Sequence, residues 1–257
     1  MVQIIWCFFA FTLLQASPLQ NVEKITATTV KGSQTISATL NGLVGETAAK
    51  AYKDVMAANE DIEWQIHVPT NYNPARPAGV LVFISANESG KIPRGWKSLL
   101  DTHNLIWVGA NKSGNKINPQ RRMTYALMAL AAVEKRYKID SSRAYLSGFS
   151  GGGRVASLLA VQYPRLFKGA IYNSGANIWN KNSSPALEQV KENRYVFITG
   201  RNDFNLEDTQ RVYRAYKKAG INHAKLMVIP SMGHRNPNKK NYERAIMYLD
   251  QQPQEQE

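Results

Sequence analysis

A glycine-rich turn wedged between an apolar strand and an apolar helix constrains this chain more than any other feature. Residues 143–147 (RAYLS) form a β-rich run, 148–153 read GFSGGG, and 154–163 (RVASLLAVQY) carry a helical pattern. That is G-x-S-x-G at a strand-to-helix junction, a turn in which the serine hydroxyl projects from the edge of a sheet. Gly148 and Gly152 permit a backbone approach that a Cβ would block. The helix that follows aims its free N–H groups and positive end at the same spot. A serine so placed is a candidate nucleophile, here Ser150.

The rest of the chain supplies a matching frame. Residues 79–85 (GVLVFIS) and 105–110 (LIWVGA) are continuous apolar runs, as strands covered on both faces require. Residues 63–68 (EWQIHV) alternate and stop at Pro69, and 169–173, 195–200 and 225–230 complete the strand series. Between strands, Met123, Leu127, Leu130, Val133 and Tyr137 recur at helical spacing over 119–137; residues 205–219 give a weaker helix that ends at Gly220. Strands alternating with helices imply right-handed βαβ units and a mostly parallel sheet, an α/β fold with helices on both faces. Residues 24–30 and 35–40 flank Lys31-Gly32-Ser33 and read as a hairpin. The expected organisation is an export signal over 1–17, an N-terminal β-rich segment over 18–59, an α/β domain over 60–250 and a frayed tail over 251–257.

A serine hydroxyl needs a base, and the base needs an orienting carboxylate. In this architecture both belong in loops beyond the C-terminal ends of later strands, in the order Ser, Asp, His. Asp203 follows the strand at 195–200, and His234 follows the one at 225–230. Among the other histidines, His67 lies inside an early strand, and His103 and His223 precede strands, so structural or solvent-facing roles are expected for them. Glu207 and Asp208 suit the first turn of the following helix better than a catalytic position. The oxyanion of a tetrahedral intermediate needs two N–H donors. Gly151 is one candidate; Ala86 or Asn87, in the loop after 79–85, is the other.

Composition bounds the remainder. Residues 4–14 (IIWCFFAFTLL) are apolar but too short for the roughly 18 residues of a spanning helix, and they fit the core of an export signal. A secreted or periplasmic chain is expected. Cys7, the single cysteine, lies inside that run, so neither a disulfide framework nor a thiolate metal site is available. The formal net charge of +13 is spread over small clusters, Arg121-Arg122, Lys135-Arg136 with Lys138, Lys217-Lys218 and Lys239-Lys240. These read as a solvated face rather than a nucleic-acid site. Asn87, Asn111 and Asn182 begin N-x-S acceptor triplets.

The residues at 136–140 (RYKID) and 143–152 (RAYLSGFSGG), with the entry VPTNYNP at 68–74, resemble the α/β-hydrolase superfamily. Within it they resemble secreted esterases of the polyhydroxyalkanoate-depolymerase and feruloyl-esterase type. Catalytic domains of prolyl-oligopeptidase-like peptidases share the pattern. The resemblance covers roughly 63–250. It implies Ser150 as nucleophile, Asp203 as acid and His234 as base, acting on a small or polymeric ester without metal or organic cofactor. The His-Gly pair usual after the third strand of such enzymes is replaced by Ser85-Ala86-Asn87. The short stretch between 173 and 195 leaves no room for a large lid, and Ile178 and Trp179 within it are candidates to line the substrate pocket; packing into the core is the alternative for Trp179. A serine peptidase and a catalytically silent binding protein are the competing functional readings.

Overall fold

In a computed structural model, residues 28–179 and 187–251 are described. The expected export signal, positions 24–27 of the expected hairpin, the acceptor at Asn182 and all but the first residue of the expected tail lie outside the described residues.

Six strands joined by parallel pairing carry the continuous apolar runs. β3 (Ala78–Ile84), β4 (Leu105–Ala110) and β6 (Gly169–Asn173) are buried at every position. β5 (Ile139–Phe149), β7 (Arg194–Gly200) and β8 (Ala224–Ile229) extend the same sheet. Two further strands complete it, β1 (Gly32–Thr39) and β2 (Asp61–Val68). The spatial order is β1-β2-β4-β3-β5-β6-β7-β8, with β2 antiparallel to both β1 and β4 and the remaining pairs parallel.

Helices cover both faces, because strands apolar on both sides leave neither face to water. One face packs against α1 (Leu40–Ala49), α3 (Pro119–Glu134), α4 (Gly151–Gln162) and α6 (Leu206–Lys218), together with Val190 of α5 (Leu187–Glu192). The other packs against α2 (Lys97–Thr102) and α7 (Lys239–Leu249), where Trp96 stacks on Tyr242 with ring centroids 3.6 Å apart. No helix among the described residues is long and apolar enough to cross a membrane.

The hairpin expectation does not hold. Residues 28–30 are not strand, and β1 pairs along its whole length with β2, from Gly32↔Val68 to Thr39↔Asp61. Lys31-Gly32-Ser33 is therefore a strand entry, with Gly32 at φ 83°, rather than a tight turn. β2 buries Trp64 and Ile66, and β1 supplies the neighbour on its outer side. The chain between the two strands is also not β: Thr39 caps α1 by accepting a hydrogen bond from the Gly42 N–H, and Leu40 and Leu43 are buried. The segment before residue 60 thus contributes the edge strand of the main sheet.

Candidate active site

β5 ends at Phe149 and α4 begins at Gly151, so Ser150 alone makes the turn. Its backbone sits at φ 55°, ψ −119°, a region that costs a non-glycine residue on the order of 1–3 kcal/mol and persists only where packing enforces it. The enforcing contact is the start of α4 against the end of β3. A Cβ on Gly152 would lie 1.9 Å from the Ile84 carbonyl oxygen, so only glycine allows the two backbones to meet. Ser150 N–H donates to Asn173 O at 2.8 Å, tying the turn to β6 as well.

Two later loops converge on that hydroxyl. Asp203 follows β7 and is 5% exposed. His234 follows β8. His234 Nδ1 lies 2.9 Å from Asp203 Oδ1, and His234 Nε2 lies 2.9 Å from Ser150 Oγ. An ionised Asp203 can only accept, so Nδ1 carries the ring proton and Nε2 is left to accept from the serine O–H. Burial pushes the Asp203 carboxyl up, but the neighbouring Ser174 hydroxyl, the Asn205 N–H and the His234 ring outweigh it and hold the group below its ordinary pKa. The imidazole is flanked by Phe149 at 5.0 Å and by Phe204 at 4.0 Å between ring centroids. Phe204 is 78% exposed, an apolar surface at the rim of the site.

The rival residues go elsewhere. His67 is buried in β2 between Ser33 and Asp101; His103 faces Glu243; and His223 sits before β8, its pKa lowered by burial and by Arg194 and Lys217. Glu207 and Asp208 occupy the first turn of α6, where Asp208 pairs with Arg154 and Arg211. Of the two loop candidates for the oxyanion, Asn87 is engaged, its N–H donating to Ser85 Oγ at 3.0 Å, which leaves Ala86 of the pair. Gly151 is the first residue of α4, where helical N–H groups lack intrahelical partners. Trp179, partly buried, packs edge-on against Tyr216 at the margin of the core, centroids 5.0 Å apart. Ile178 beside it is 44% exposed.

Two residues near the site, Asn115 and Arg154, carry no local signal in the sequence, and a third, Arg122, sits otherwise than the sequence suggests. Asn115 lays its carboxamide against Gly151, its Oδ1 2.2 Å from where a Cβ would stand. Arg154 of α4 bonds Asn177 Oδ1 at 3.0 Å, Asn205 Oδ1 at 3.3 Å and Asp208 Oδ2 at 2.7 Å, so one guanidinium joins the loops after β6 and β7. Arg122 belongs to a pair read as solvated surface, yet it is 3% exposed, and burial lowers its pKa despite the opposing Glu88 charge. The helical stripe Arg122, Ala126, Ala129, Val133, all buried, is the pattern that would have revealed it.

Comparison with known proteins agrees with this architecture. Residues 103–195 match the family model described as "Esterase PHB depolymerase". No curated protein matches the chain. Among solved structures, a ferulic acid esterase superposes with a TM-score of 0.58 at 14% identity, covering 85% of this chain and 98% of that one. A thermostable esterase gives 0.53 at 15% identity, covering 74% of this chain; the chain spans 57% of that esterase's length. Porphyromonas gingivalis dipeptidyl peptidase 4 gives 0.54 at 18% identity, covering 74% of this chain and 33% of that one. The chain has the α/β-hydrolase fold, and its resemblance to the depolymerase and feruloyl-esterase type stands.

Proposed function

We propose that the protein is a serine hydrolase of carboxylic esters, with Ser150 as nucleophile, His234 as general base and acid, and Asp203 as the carboxylate that orients the imidazole. The observation that carries this reading is the pair of 2.9 Å contacts linking the three side chains at a strained strand-to-helix turn. Ser150 Oγ attacks the ester carbonyl carbon as Nε2 takes its proton. The carbonyl oxygen becomes an oxyanion facing the N–H groups of Gly151 and Ala86. His234 then gives the proton to the departing alcohol oxygen. A water, deprotonated by the same nitrogen, attacks the acyl carbon; the bond to Ser150 Oγ breaks, Oγ takes the proton back from Nε2, and the acid is released. The imidazolium formed twice in this cycle is stabilised by Asp203, which its surroundings keep ionised.

The esters fit the comparisons better than amides do, since the family model and two of the structures above bear esterase descriptions. The exposed faces of Phe204 and Ile178 suit an apolar or aromatic substituent beside the reacting carbonyl. The apolar run at 4–14 favours an exported protein. In the test, short p-nitrophenyl esters and matched p-nitroanilides are offered to the wild type and to Ser150→Ala. Ester hydrolysis by the wild type should fall by about 10⁵–10⁶-fold in the variant. Anilide cleavage faster than ester cleavage would favour a peptidase, and unchanged turnover by Ser150→Ala would remove the serine from the mechanism.

A further inference from the structure

Arg122 is a buried cation that the proposed chemistry does not use. Among the described residues its hydrogen bonds go to backbone carbonyls: Nε to Ser113 O at 2.9 Å, Nη2 to Ser85 O at 2.7 Å and Nη1 to Gly151 O at 3.4 Å. No ion pair neutralises it within that set, although the Glu88 charge acts on it. A guanidinium withdrawn from water to hold three carbonyls is a costly strut. Its partners explain the placement. Ser85 closes the end of β3, Gly151 follows the nucleophile, and Ser113 lies in the β4–α3 loop.

The Ser85 carbonyl shares a peptide plane with the Ala86 N–H. In a trans peptide the C=O and N–H point in opposite directions. Anchoring the oxygen on Arg122 therefore fixes the direction of the N–H. The next plane is held as well, because Ala86 O accepts from Asn115 N–H at 3.0 Å, and Asn87 N–H is drawn to Ser85 Oγ. The contact between Gly152 and Ile84 brings this strand end against the start of α4, so the Ala86 and Gly151 N–H groups belong to neighbouring backbone.

We propose that Arg122 is a positioning residue for the oxyanion hole: it aims the Ala86 N–H by holding the Ser85 carbonyl, and it polarises that peptide so that the N–H donates more strongly to developing negative charge. The inference rests on the reading of Ser150 as an ester-cleaving nucleophile. It accounts for a hole built without the His-Gly pair, with a charged anchor behind the peptide in place of a donor-rich loop. Such an anchor acts in the transition state rather than on bound substrate, since only there does the oxygen carry charge.

The experiment compares wild type, Arg122→Gln, Arg122→Lys and Ser150→Ala, using p-nitrophenyl acetate and an aryl trifluoromethyl ketone, which forms a hemiketal oxyanion on a serine. Rates are expressed per active site, titrated with a fluorophosphonate. For Arg122→Gln, kcat should fall by about 10²-fold with KM nearly unchanged, and ketone affinity should fall by the same factor, as for loss of one oxyanion donor. Arg122→Lys, which keeps the charge but loses the fork, should lie between. A role in folding alone would lower the titre or the melting temperature and leave the per-site ketone affinity at the wild-type value; that result overturns the inference. If Arg122→Gln does not fold, Arg122→Lys decides by the same readouts. Wild-type turnover by Ser150→Ala would instead overturn the underlying reading, whereas an inert Ser150→Ala beside an Arg122 variant with undiminished ketone affinity overturns this inference alone.

Discussion

Ser150, His234 and Asp203 are joined in a hydrogen-bonded line at the C-terminal ends of β5, β7 and β8. At the antiparallel edge of the same sheet, Ser33, His67 and Asp101 are joined in another: Ser33 Oγ lies 3.0 Å from His67 Nδ1, and His67 Nε2 lies 3.0 Å from Asp101 Oδ1. By residue type and distance the two lines are alike. Their settings differ. Ser33 lies in an extended strand directly opposite His67 in the β1–β2 ladder. Ser150 occupies a strained turn from which a helix departs, with the β3 loop packed against that helix start. His67 is 4% exposed and shares Asp101 with the Thr70 N–H, so its line reads as a polar clamp between β1, β2 and α2. On the proposed reading, the Ser–His–Asp row supplies a proton path, the helix start and the β3 loop supply the site for developing charge, and catalysis needs both.

Substitutions at the acids should separate the lines most widely. Asp203→Asn removes the partner that fixes the His234 tautomer, and kcat for ester hydrolysis should fall by about 10⁴-fold in a folded protein. Asp101→Asn should leave kcat within about twofold and lower the melting temperature instead. Equal losses of activity would erase the distinction drawn between the two settings.

A smaller effect is expected where the settings diverge in backbone. Gly152→Ala puts a Cβ against the Ile84 carbonyl and must push α4 from β3. The expected cost is about 10- to 10²-fold in kcat/KM, measured on short esters, because misplacement of roughly 1 Å is enough to lose that much. Unaltered kcat/KM would show that the close approach is not what prepares Ser150.

Much of the contrast was legible in the sequence. The Ser, Asp and His positions follow from strand ends and chain order, and His67 reads as structural because it interrupts an alternating strand. The edge partner of β2 was not legible, since β1 pairs across the intervening helix α1 and long-range pairing leaves no local signal. Arg122 was hidden by its neighbour: Arg121 pairs with Glu60 at half-exposed positions, and the doublet mimics a surface cluster. Trp179 was ambiguous because an aromatic side chain near a rim suits either core or ligand.

The smallest expected effect is on stability against pH. The native Asp203 carboxyl titrates below its ordinary value, so its contribution is fully present above the unfolded value of about 3.9 and is lost as pH falls through the lower native one. Wild type should melt above Asp203→Asn at pH 6, with the gap closing as the pH drops below about 4. A gap that stays constant down to pH 2 would mean that the carboxylate is not held ionised by its neighbours.

The most direct measurement is covalent. Folded wild-type protein is treated with a fluorophosphonate, digested, and the modified peptides are mapped. One phosphonyl group per chain is expected, on Ser150, with the Ser33 peptide unmodified and with no labelling of Ser150→Ala. A folded protein that stays unlabelled at Ser150, or that takes the reagent at Ser33, would contradict it.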